Sequence, residues 1–300
     1  FKKDQGASDD SSGSILFTKK TEEMMLGFYP KLRESRHRAR FAYTSDDNLI
    51  ACPEDEAIYP CVIKGIYECF EMDMMRKTIA PGSCVLDIGA NVGMWSLEMS
   101  RFVGDKGVVL AFEPDPCNFE YLMANLSMNE CKNVRVMKVA LGSKLEQRDF
   151  YLSDTNVGDH GFTNYANDGR EKITVQTVPL DTVMKGERPP KFIKMDVQGG
   201  EVELIRGGME TFRKTGVALI EYCPQLIIAS GSSPEEFLDL IYDELRFKVF
   251  CLYPMNIQRD EEWGTKVNFE HGYATVTLRK KSLLNYVGRD GDYRNLWCVK

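Results

Sequence analysis

The sequence Cys-Val-Leu-Asp-Ile-Gly-Ala-Asn-Val-Gly occupies residues 84–93 of this 300-residue chain. Its first half is a short apolar run, typical of a buried strand, and its second half is rich in glycine. Gly89 permits a tight turn after the strand, and Gly93 lets the following helix begin close to a ligand. The N-terminus of that helix offers backbone N–H groups to a carboxylate or phosphate. The segment therefore predicts a strand, a ligand-binding loop and a helix.

An alternation of apolar strands and amphipathic helices extends through the rest of the chain. Helical spacing of apolar residues from Tyr59 to Met74 predicts one helix before residue 84. Beyond the glycine-rich loop, short apolar runs predict further strands at 108–112, 134–139, 192–195, 217–220, 247–253 and 296–299. Continuous apolar strands separated by amphipathic helices indicate an α/β fold in which helices cover both faces of a parallel sheet.

Two segments interrupt this alternation. Residues 147–152 and 172–178 read as extended pieces around a loop rich in Asp, Asn and Gly. They predict a hairpin inserted between the third and fourth strands, with a loop long enough to be functional. Residues 255–293 show no clean period, and we expect them to form a cap or lid.

The division of the chain follows from the same pattern. No Pro- or Ser-rich linker interrupts the strand–helix series, so we expect one domain over residues 59–300. Residues 1–58 would be an N-terminal extension, and the polar composition of residues 4–14 predicts that it is partly disordered.

The acidic balance of the chain limits its partners. Lys and Arg number 38 against 45 Asp and Glu, which gives a net charge of −7. This balance argues against a protein whose main task is to grip a nucleic-acid backbone. A local exception lies at 31–40, where six of ten residues are Lys, Arg or His. That run fits either a solvated helix face or a contact with an anionic substrate or RNA.

The cysteines and the hydropathy of the chain suggest a compartment. The nine cysteines lack the paired short spacings of a zinc site, so we expect reduced thiols that pack as small apolar groups. No stretch approaches the roughly 18 apolar residues of a membrane span, and the start of the chain carries no signal sequence. We therefore expect a cytoplasmic protein with no membrane span.

An acidic residue, Glu113, ends the second predicted strand. A carboxylate there can accept hydrogen bonds from both hydroxyls of a ribose, an arrangement that suits NAD and S-adenosylmethionine alike. The loop separates the two cofactors, because a dinucleotide fingerprint is Gly-x-Gly-x-x-Gly, whereas this loop has Gly89-x-x-x-Gly93. Asp87, just before the turn, would repel a pyrophosphate but suits a ligand with ammonium and sulfonium groups. The loop therefore favours S-adenosylmethionine.

The chain resembles the FkbM-type S-adenosylmethionine-dependent methyltransferases from about Gly65 to about Pro224, and more weakly at 295–299. The resemblance rests on the loop and on motifs that are specific only in combination. They are Tyr67-Glu68, Ala111-Phe112-Glu113-Pro114, Val139-Ala140-Leu141-Gly142, Leu180-Asp181 and Ile193-Lys194-Met195-Asp196-Val197-Gln198-Gly199-Gly200-Glu201. It implies a Rossmann-like class I methyltransferase fold with a mostly parallel seven-stranded sheet. It also implies O-methylation of a small-molecule or sugar hydroxyl.

The resemblance further implies which residues bind the cofactor. The glycine-rich loop would hold its methionine part and Glu113 its ribose, while the tip of the third strand would lie near the adenine. The expected cofactor-binding set is Glu68, Asp87, Gly89, Asn91, Gly93, Glu113, Ala140 and Asp196.

One position departs from the family. The family usually reads Asp-Val-Glu-Gly after the fourth strand, whereas this chain has Gln198 at the third position. If the missing carboxylate binds or deprotonates the acceptor, either the substrate differs or Asp196 and Glu201 suffice.

Methyl transfer to a hydroxyl is an in-line displacement, and a group that removes the hydroxyl proton assists it. The candidates for this catalytic role are Asp196, Glu221 and His160, although Asp196 could instead only orient the cofactor. A divalent metal between Asp196 and Glu221 would need a third acidic ligand, and none stands at a matching spacing. We therefore expect no metal.

Two other functions stay open at this point. The acceptor could be RNA, held by the basic run at 31–40. Alternatively, the chain could bind the cofactor as a scaffolding module without turnover, an idea that the departure at Gln198 motivates. A glycan or small-molecule acceptor is the preferred expectation.

Overall fold

The computed structural model describes residues 15–44, 48–64, 67–165, 169–254, 264–270, 273–284 and 293–300. Its N-terminal part is a small antiparallel sheet with one helix, made of β1 (Ile15–Leu16), α1 (Lys19–Phe28), β2 (Ala39–Tyr43) and β3 (Leu49–Pro53). A 3₁₀ turn at Pro30–Glu34 follows the helix. The expected disordered tail at 4–14 lies outside the described residues.

The single helix predicted from Tyr59 to Met74 is in fact two helices. Helix α2 covers Ile58–Ile63 and α3 covers Cys69–Thr78. Glu68 precedes α3 in the left-handed region, with φ of 41°. A helix requires negative φ at every residue, so it cannot continue through Glu68, although the apolar period does.

The remaining elements alternate along the chain largely as the sequence predicts. They are β4 (Cys84–Ile88), α4 (Met94–Val103), β5 (Val108–Phe112), α5 (Pro116–Met128), β6 (Val134–Met137), β7 (Ala140–Leu141), β8 (Glu146–Leu152), β9 (Glu171–Val178), α6 (Leu180–Val183), β10 (Phe192–Met195), α7 (Glu201–Gly207), α8 (Met209–Lys214), β11 (Val217–Tyr222), α9 (Pro224–Ala229), α10 (Pro234–Asp239), β12 (Lys248–Pro254), β13 (Gly264–Glu270), β14 (Tyr273–Leu278), α11 (Lys280–Leu284) and β15 (Arg294–Val299).

The strand order confirms the Rossmann-like α/β fold. The seven expected strands lie in the order β6-β5-β4-β10-β11-β15-β12, and β15 runs antiparallel to both of its neighbours. Two further antiparallel strands, β14 and β13, extend the sheet beyond β12. The segment 255–293, expected to be a cap or lid, therefore contributes strands, while 255–263, 271–272 and 285–292 lie outside the described residues.

The predicted hairpin insertion is also confirmed. Strands β8 and β9 pair in antiparallel register from Glu146 opposite Thr177 to Leu152 opposite Glu171. Strand β7 joins the other side of β9 in parallel register. This small sheet sits between the third and fourth strands of the chain's main sheet, as the two extended pieces predicted.

Strand β4 marks the point where the order of the main sheet reverses. The chain proceeds from β4 to β5 and β6 on one side, and later to β10 and β11 on the other. All five residues of β4 and all four of β10 are buried, because helices cover both faces. In such sheets, ligands bind outside the carboxyl ends of the strands at the reversal point.

The N-terminal part packs against helix α5. Phe41 and Ala51 share a buried cluster with Val92 and Tyr121. The buried side chain of Asn125 accepts from the N–H of Ala51 at 2.7 Å and donates to its carbonyl at 2.9 Å. Satisfying both backbone groups of a strand residue in this way fixes β3 against the helix.

The basic run at 31–40 does not form a helix face, because it spans the 3₁₀ turn and the start of β2. Five of its cations pair with carboxylates: Lys31 with Glu120, Arg33 with Glu23, Arg36 with Asp154 and Glu171, Arg38 with Glu22, and Arg40 with Glu22 and Glu54. Paired in this way, the run offers little net charge to a nucleic-acid backbone.

Eight cysteines in the described part of the chain are free thiols. No helix in that part is long and apolar enough to cross a membrane.

Candidate active site

A cleft of about 660 Å³ opens where the sequence places it, at the carboxyl ends of the central strands. Its walls come from the glycine-rich loop, the ends of β5, β10 and β11, the loop after β8, and the segment around α2 and α3. The structure brings most of the expected site residues together here. Those lining the cleft are Glu68, Gly89, Asn91, Glu113, Ala140, His160, Asp196 and Glu221.

Gly89 is the point of closest approach between the ends of β4 and β10. Its φ is +78°, and a Cβ at this position would lie 1.8 Å from the carbonyl oxygen of Asp196. The N–H of Asp196 donates to the carbonyl of Ile88 at 3.0 Å, which extends the strand pairing to the rim of the cleft. Only glycine therefore fits here, for both conformational and steric reasons.

The loop is tied to the second strand through Asn91 and Glu113. Asn91 has φ of 50°, and its N–H donates to the Glu113 carboxylate at 2.7 Å. The N–H of Asp115 donates to the other oxygen of Glu113 at 2.9 Å. Burial, together with the nearby Asp115 carboxylate, raises the pKa of Glu113 to about 8. The position that we expected to bind a ribose thus also shapes the loop.

Asp87 and Gly93 are not among the residues that line the cleft, and the cofactor-binding role expected for both stays a prediction. Asp87 is fully buried and accepts from the Ser96 hydroxyl at 2.6 Å, and burial raises its pKa. Its second oxygen has no hydrogen-bond partner within the described residues. Gly93 has φ of +92°, and a Cβ there would lie 2.5 Å from Leu122 Cδ1. The positive φ favours glycine at position 93, where the start of α4 packs against α5.

A buried lysine, Lys194, lies beneath the acidic end of the cleft. Its side chain is 4% exposed, and Nζ lies 3.0 Å from Asp196 Oδ2. Burial alone would lower the pKa of Lys194, but the carboxylates of Asp196, Glu68 and Asp87 raise it. The lysine therefore stays charged and offsets part of the negative charge around it. The sequence contained a signal for this contact, because residues two apart in a strand, such as Lys194 and Asp196, lie on the same face of the sheet.

Gln198 joins two of the three catalytic candidates. Its Nε2 donates to Asp196 Oδ1 at 2.6 Å and to Glu221 Oε2 at 2.5 Å, and its backbone is left-handed, with φ of 49°. An amide nitrogen carries two hydrogens, so it can serve both carboxyl groups at once. Burial, and then the Asp196 carboxylate, raise the pKa of Glu221 well above its usual range. The residue that departs from the family therefore holds Asp196 and Glu221 together.

Glu68 reaches the same end of the cleft from the turn before α3. Its carboxylate accepts from the indole N–H of Trp95 at 2.5 Å. Burial raises the pKa of Glu68 to about 7, although the Lys194 charge opposes the shift. The left-handed backbone that breaks the predicted helix thus carries a cleft residue.

His160, the third catalytic candidate, lies in the loop after β8. Its Nδ1 accepts from the N–H of Ser153 at 2.9 Å, so the neutral ring carries its proton on Nε2. Burial, and then the charges of Arg36 and Arg170, lower the pKa of His160 to about 3. The ring is therefore neutral throughout the physiological range.

Sequence reasoning missed the junction that holds this loop in place. The Val157 N–H donates to Asp55 Oδ2 at 3.0 Å. Its carbonyl accepts from the side-chain amides of Asn91 and Asn118, at 3.2 and 3.0 Å. One residue of the loop is thus bound by three separate segments, including the N-terminal part. These contacts join residues far apart in sequence, and no local pattern signals them.

No group of three or more His, Cys, Asp or Glu side chains within the described residues is arranged to hold a metal ion.

The fold and the cleft define a Rossmann-like enzyme whose ligand site lies at the strand tips. The family model for the Methyltransferase FkbM domain matches residues 87–249, more than half of the sequence. The chain belongs to this FkbM methyltransferase family, and it is an S-adenosylmethionine-dependent methyltransferase. The cleft fits that cofactor for two reasons. The loop at Gly89 leaves no room for a side chain at that position, and the acidic lining of the cleft suits a cationic ligand.

Three relatives show the range of the similarity. The hexuronic acid methyltransferase AglP of Haloferax volcanii is 25% identical over 57% of this chain and 67% of its own length. The 2-O-methyltransferase NoeI of Sinorhizobium fredii is 28% identical over 60% of this chain and 78% of its own. The ribosomal RNA large subunit methyltransferase E of Bdellovibrio bacteriovorus is 26% identical over 50% of this chain and 62% of its own.

Proposed function

We propose that the chain transfers a methyl group from S-adenosylmethionine to a hydroxyl of a small-molecule or sugar acceptor. The observation that carries this proposal is the position of Asp196. It lies beside the loop that would hold the cofactor, and in one hydrogen-bonded group with Gln198 and Glu221. A hydroxyl placed there would meet a proton acceptor and the methyl donor together.

The cofactor would lie along the cleft from its acidic to its apolar end. Gly89 and Asn91 would hold the methionine part, and Glu113 the ribose hydroxyls. Ala140 and Phe112 line the apolar end, where a flat adenine ring would be removed from water. Asp87 and Gly93 would act indirectly, by fixing the loop and the helix that follows it.

The bound cofactor would supply a methyl group on a positively charged sulfur. As the new O–CH₃ bond forms, the S–CH₃ bond breaks and the sulfur keeps its electron pair. Asp196 would take up the proton that the hydroxyl loses. Lys194 and Gln198 both donate to Asp196 and hold it in one orientation. Glu221, whose pKa is raised by burial and by the Asp196 carboxylate, would stand beside Asp196 as the second carboxyl group of the pair.

His160 would act as a donor and not as the base. Its Nδ1 is already hydrogen-bonded, and a ring with a pKa of about 3 takes up protons weakly. The proton on Nε2 could bind an acceptor oxygen. The structure therefore favours the carboxyl pair over His160 for proton removal.

Aromatic and amide side chains support a hydroxylated acceptor. Tyr67, Tyr165 and Tyr293 line the cleft with Gln225 and Asn295. Rings offer flat apolar contact and the amides offer both donors and acceptors, as hydroxyl-rich ligands require. The relatives named for a hexuronic acid and for 2-O-methylation support the same acceptor class. The RNA alternative is not favoured, because the basic run that motivated it is paired with carboxylates.

We also propose that the extension is part of the working enzyme. Asp55 holds the loop that carries His160, so residues 59–300 would not form the complete site alone.

The free thiols suit a reducing compartment such as the cytoplasm.

A labelled cofactor tests the proposed reaction. The chain is incubated with S-adenosylmethionine carrying a trideuterated methyl group and a pool of glycosides and hydroxylated metabolites. We expect a deuterated methyl ether on oxygen, lost in Asp196→Asn and kept in the exposed control Asp149→Asn. Label on nitrogen or carbon, or equal transfer by Asp196→Asn, would contradict the proposal.

A further inference from the structure

The charge of the cleft lining is one-sided. Among the described residues that line it, six are carboxylic acids and none is Lys or Arg. The six are Glu68, Glu71, Glu113, Asp159, Asp196 and Glu221. The cofactor explains only some of them, because Glu113 would bind neutral ribose hydroxyls and the cofactor carries only two cationic groups, its ammonium and its sulfonium.

Three of the described cations near the cleft are already paired. Lys194 is 4% exposed and bound to Asp196 beneath the surface. Arg170 is 5% exposed and pairs with Asp159 at 2.6 Å. Arg36 bonds to Asp154 and Glu171 outside the cleft. None of these groups can meet an entering anion without breaking an ion pair.

The acidic end of the cleft, where the acceptor would bind beside Asp196, holds most of these carboxyl groups. Glu68, Glu71, Asp196 and Glu221 all lie there, and Glu71 accepts from the Asn295 side chain at 3.0 Å. Protonation of Glu68 or Glu221 would reduce the negative charge but would provide no positive partner. His160 is neutral and also offers none.

We propose, on the basis of the proposed function, that the acceptor carries no negative charge where it enters the cleft, and is a neutral or amine-bearing hydroxyl compound. Uronates, phosphate esters and nucleic-acid backbones are excluded by like-charge repulsion in a partly dehydrated site. This specificity differs from the acidic sugar for which the relative AglP is named. Tyr67 and Tyr293 offer ring faces to an ammonium group if one is present.

Two matched thiols allow the charge of the cleft to be measured without a known acceptor. Cys61 lines the cleft, while Cys131 follows the far end of α5, about 20 Å along the helix from the cleft. Both are half-buried and free. The full chain, loaded with S-adenosylhomocysteine, is treated with a cationic trimethylammonium methanethiosulfonate or with its anionic sulfonate analogue. Mass spectrometry then gives the modification rate at each thiol.

The ratio of cationic to anionic rates decides the electrostatic claim. We expect the ratio at Cys61 to exceed that at Cys131 by about tenfold at low salt. Comparison with Cys131 cancels the intrinsic difference between the reagents. Glu71→Lys should lower the ratio at Cys61, and the exposed control Glu210→Lys should not. A ratio at Cys61 equal to or below that at Cys131 would overturn the proposal.

A matched set of three acceptors then tests specificity. Methyl glucoside, methyl glucuronide and methyl glucosaminide share one ring and differ in charge. Transfer or inhibition by the neutral or amino compound, at least about tenfold stronger than by the uronate, is expected. A uronate that is used equally well or better would refute the inference. If the proposed transfer reaction itself fails, the thiol ratio still decides the charge of the cleft, so the two failures are distinguishable.

Discussion

The side-chain nitrogen of Gln198 lies 2.5 Å from the Glu221 carboxyl group, and the same nitrogen lies 2.6 Å from that of Asp196. Two carboxyl groups this close repel each other when both are ionised. The amide donates one hydrogen to each, which keeps them together without adding charge. The departure from the family motif is therefore built into the geometry of the site.

Replacing that amide tests its role. Gln198→Glu would lose both donors and place a third carboxyl group beside the pair. We expect turnover to fall by about tenfold to a hundredfold at pH 8, since lost hydrogen bonds to charged groups are worth about 1.5–3 kcal/mol. Part of the loss should be recovered near pH 6, where the new group is protonated. The exposed control Gln147→Glu should behave like the wild type at both pH values. Equal turnover of Gln198→Glu and wild type at pH 8 would exclude a bridging role.

The two carboxyl groups that Gln198 joins should respond differently to neutralisation. Asp196→Asn removes the proposed proton acceptor, and we expect turnover to fall by about 10²–10⁴-fold with little change in cofactor affinity. Glu221→Gln leaves the proposed proton acceptor Asp196 in place, so a loss below about tenfold is expected. Single-turnover rates and the dissociation constant of S-adenosylhomocysteine separate the two effects. A larger loss in Glu221→Gln than in Asp196→Asn would reverse the assignment.

Buried acids should make the ligand-free chain less stable as the pH rises. Glu68 and Glu201 have pKa values raised to about 7 by burial, and Glu113 to about 8. Such groups bind more protons in the folded chain than in the unfolded chain. Their contribution is therefore complete below the unfolded pKa and is lost as the pH rises through 7 to 8.

Urea unfolding at pH 5.5 and pH 8.5 measures this effect. The free energy of unfolding of the wild type should fall, by about 1.4 kcal/mol for each pH unit between 5.5 and the raised pKa of a group. Glu113→Gln should show a smaller fall, while Glu120→Gln, on the outer part of α5, should follow the wild type. A wild-type stability that is constant or rises over this range would show that these acids are not perturbed as described.

The Asp55–Val157 hydrogen bond should couple the N-terminal part to the site. Asp55→Ala removes the acceptor of the Val157 N–H, so we expect faster hydrogen exchange at that amide. Because Asn91 and Asn118 bind the carbonyl of the same residue, affinity for S-adenosylhomocysteine should fall by about tenfold. The neighbouring Glu54→Ala, which loses only a pair with Arg40, is the control. Unchanged exchange at Val157 would show that the loop does not depend on Asp55.

Local sequence patterns predicted the main strands of this protein and the position of its cleft. The apolar run and glycines of 84–93 located the central strand and the cleft, and two extended pieces located the inserted hairpin. The two glycines of the loop have different surroundings, because Gly89 lies against the backbone of Asp196 and Gly93 against the side chain of Leu122. The spacing alone could not distinguish ligand contact from helix packing.

What sequence could not supply depends on distant contacts. The period of apolar residues runs through Glu68 without a sign of its left-handed backbone. The hydrogen bonds at Val157 join three segments, and the contact of Gln198 with Glu221 joins the ends of two strands. Each arises only when the sheet brings separate strand ends together.

Cofactor choice is the central claim, and thermal unfolding with two ligands tests it most directly. S-adenosylhomocysteine at a hundred times its dissociation constant stabilises the folded chain by about 2.7 kcal/mol, so we expect the melting temperature to rise by about 4 °C. NAD at the same concentration should leave it unchanged, and Glu113→Gln should reduce the rise. A rise with NAD and none with S-adenosylhomocysteine would contradict the account.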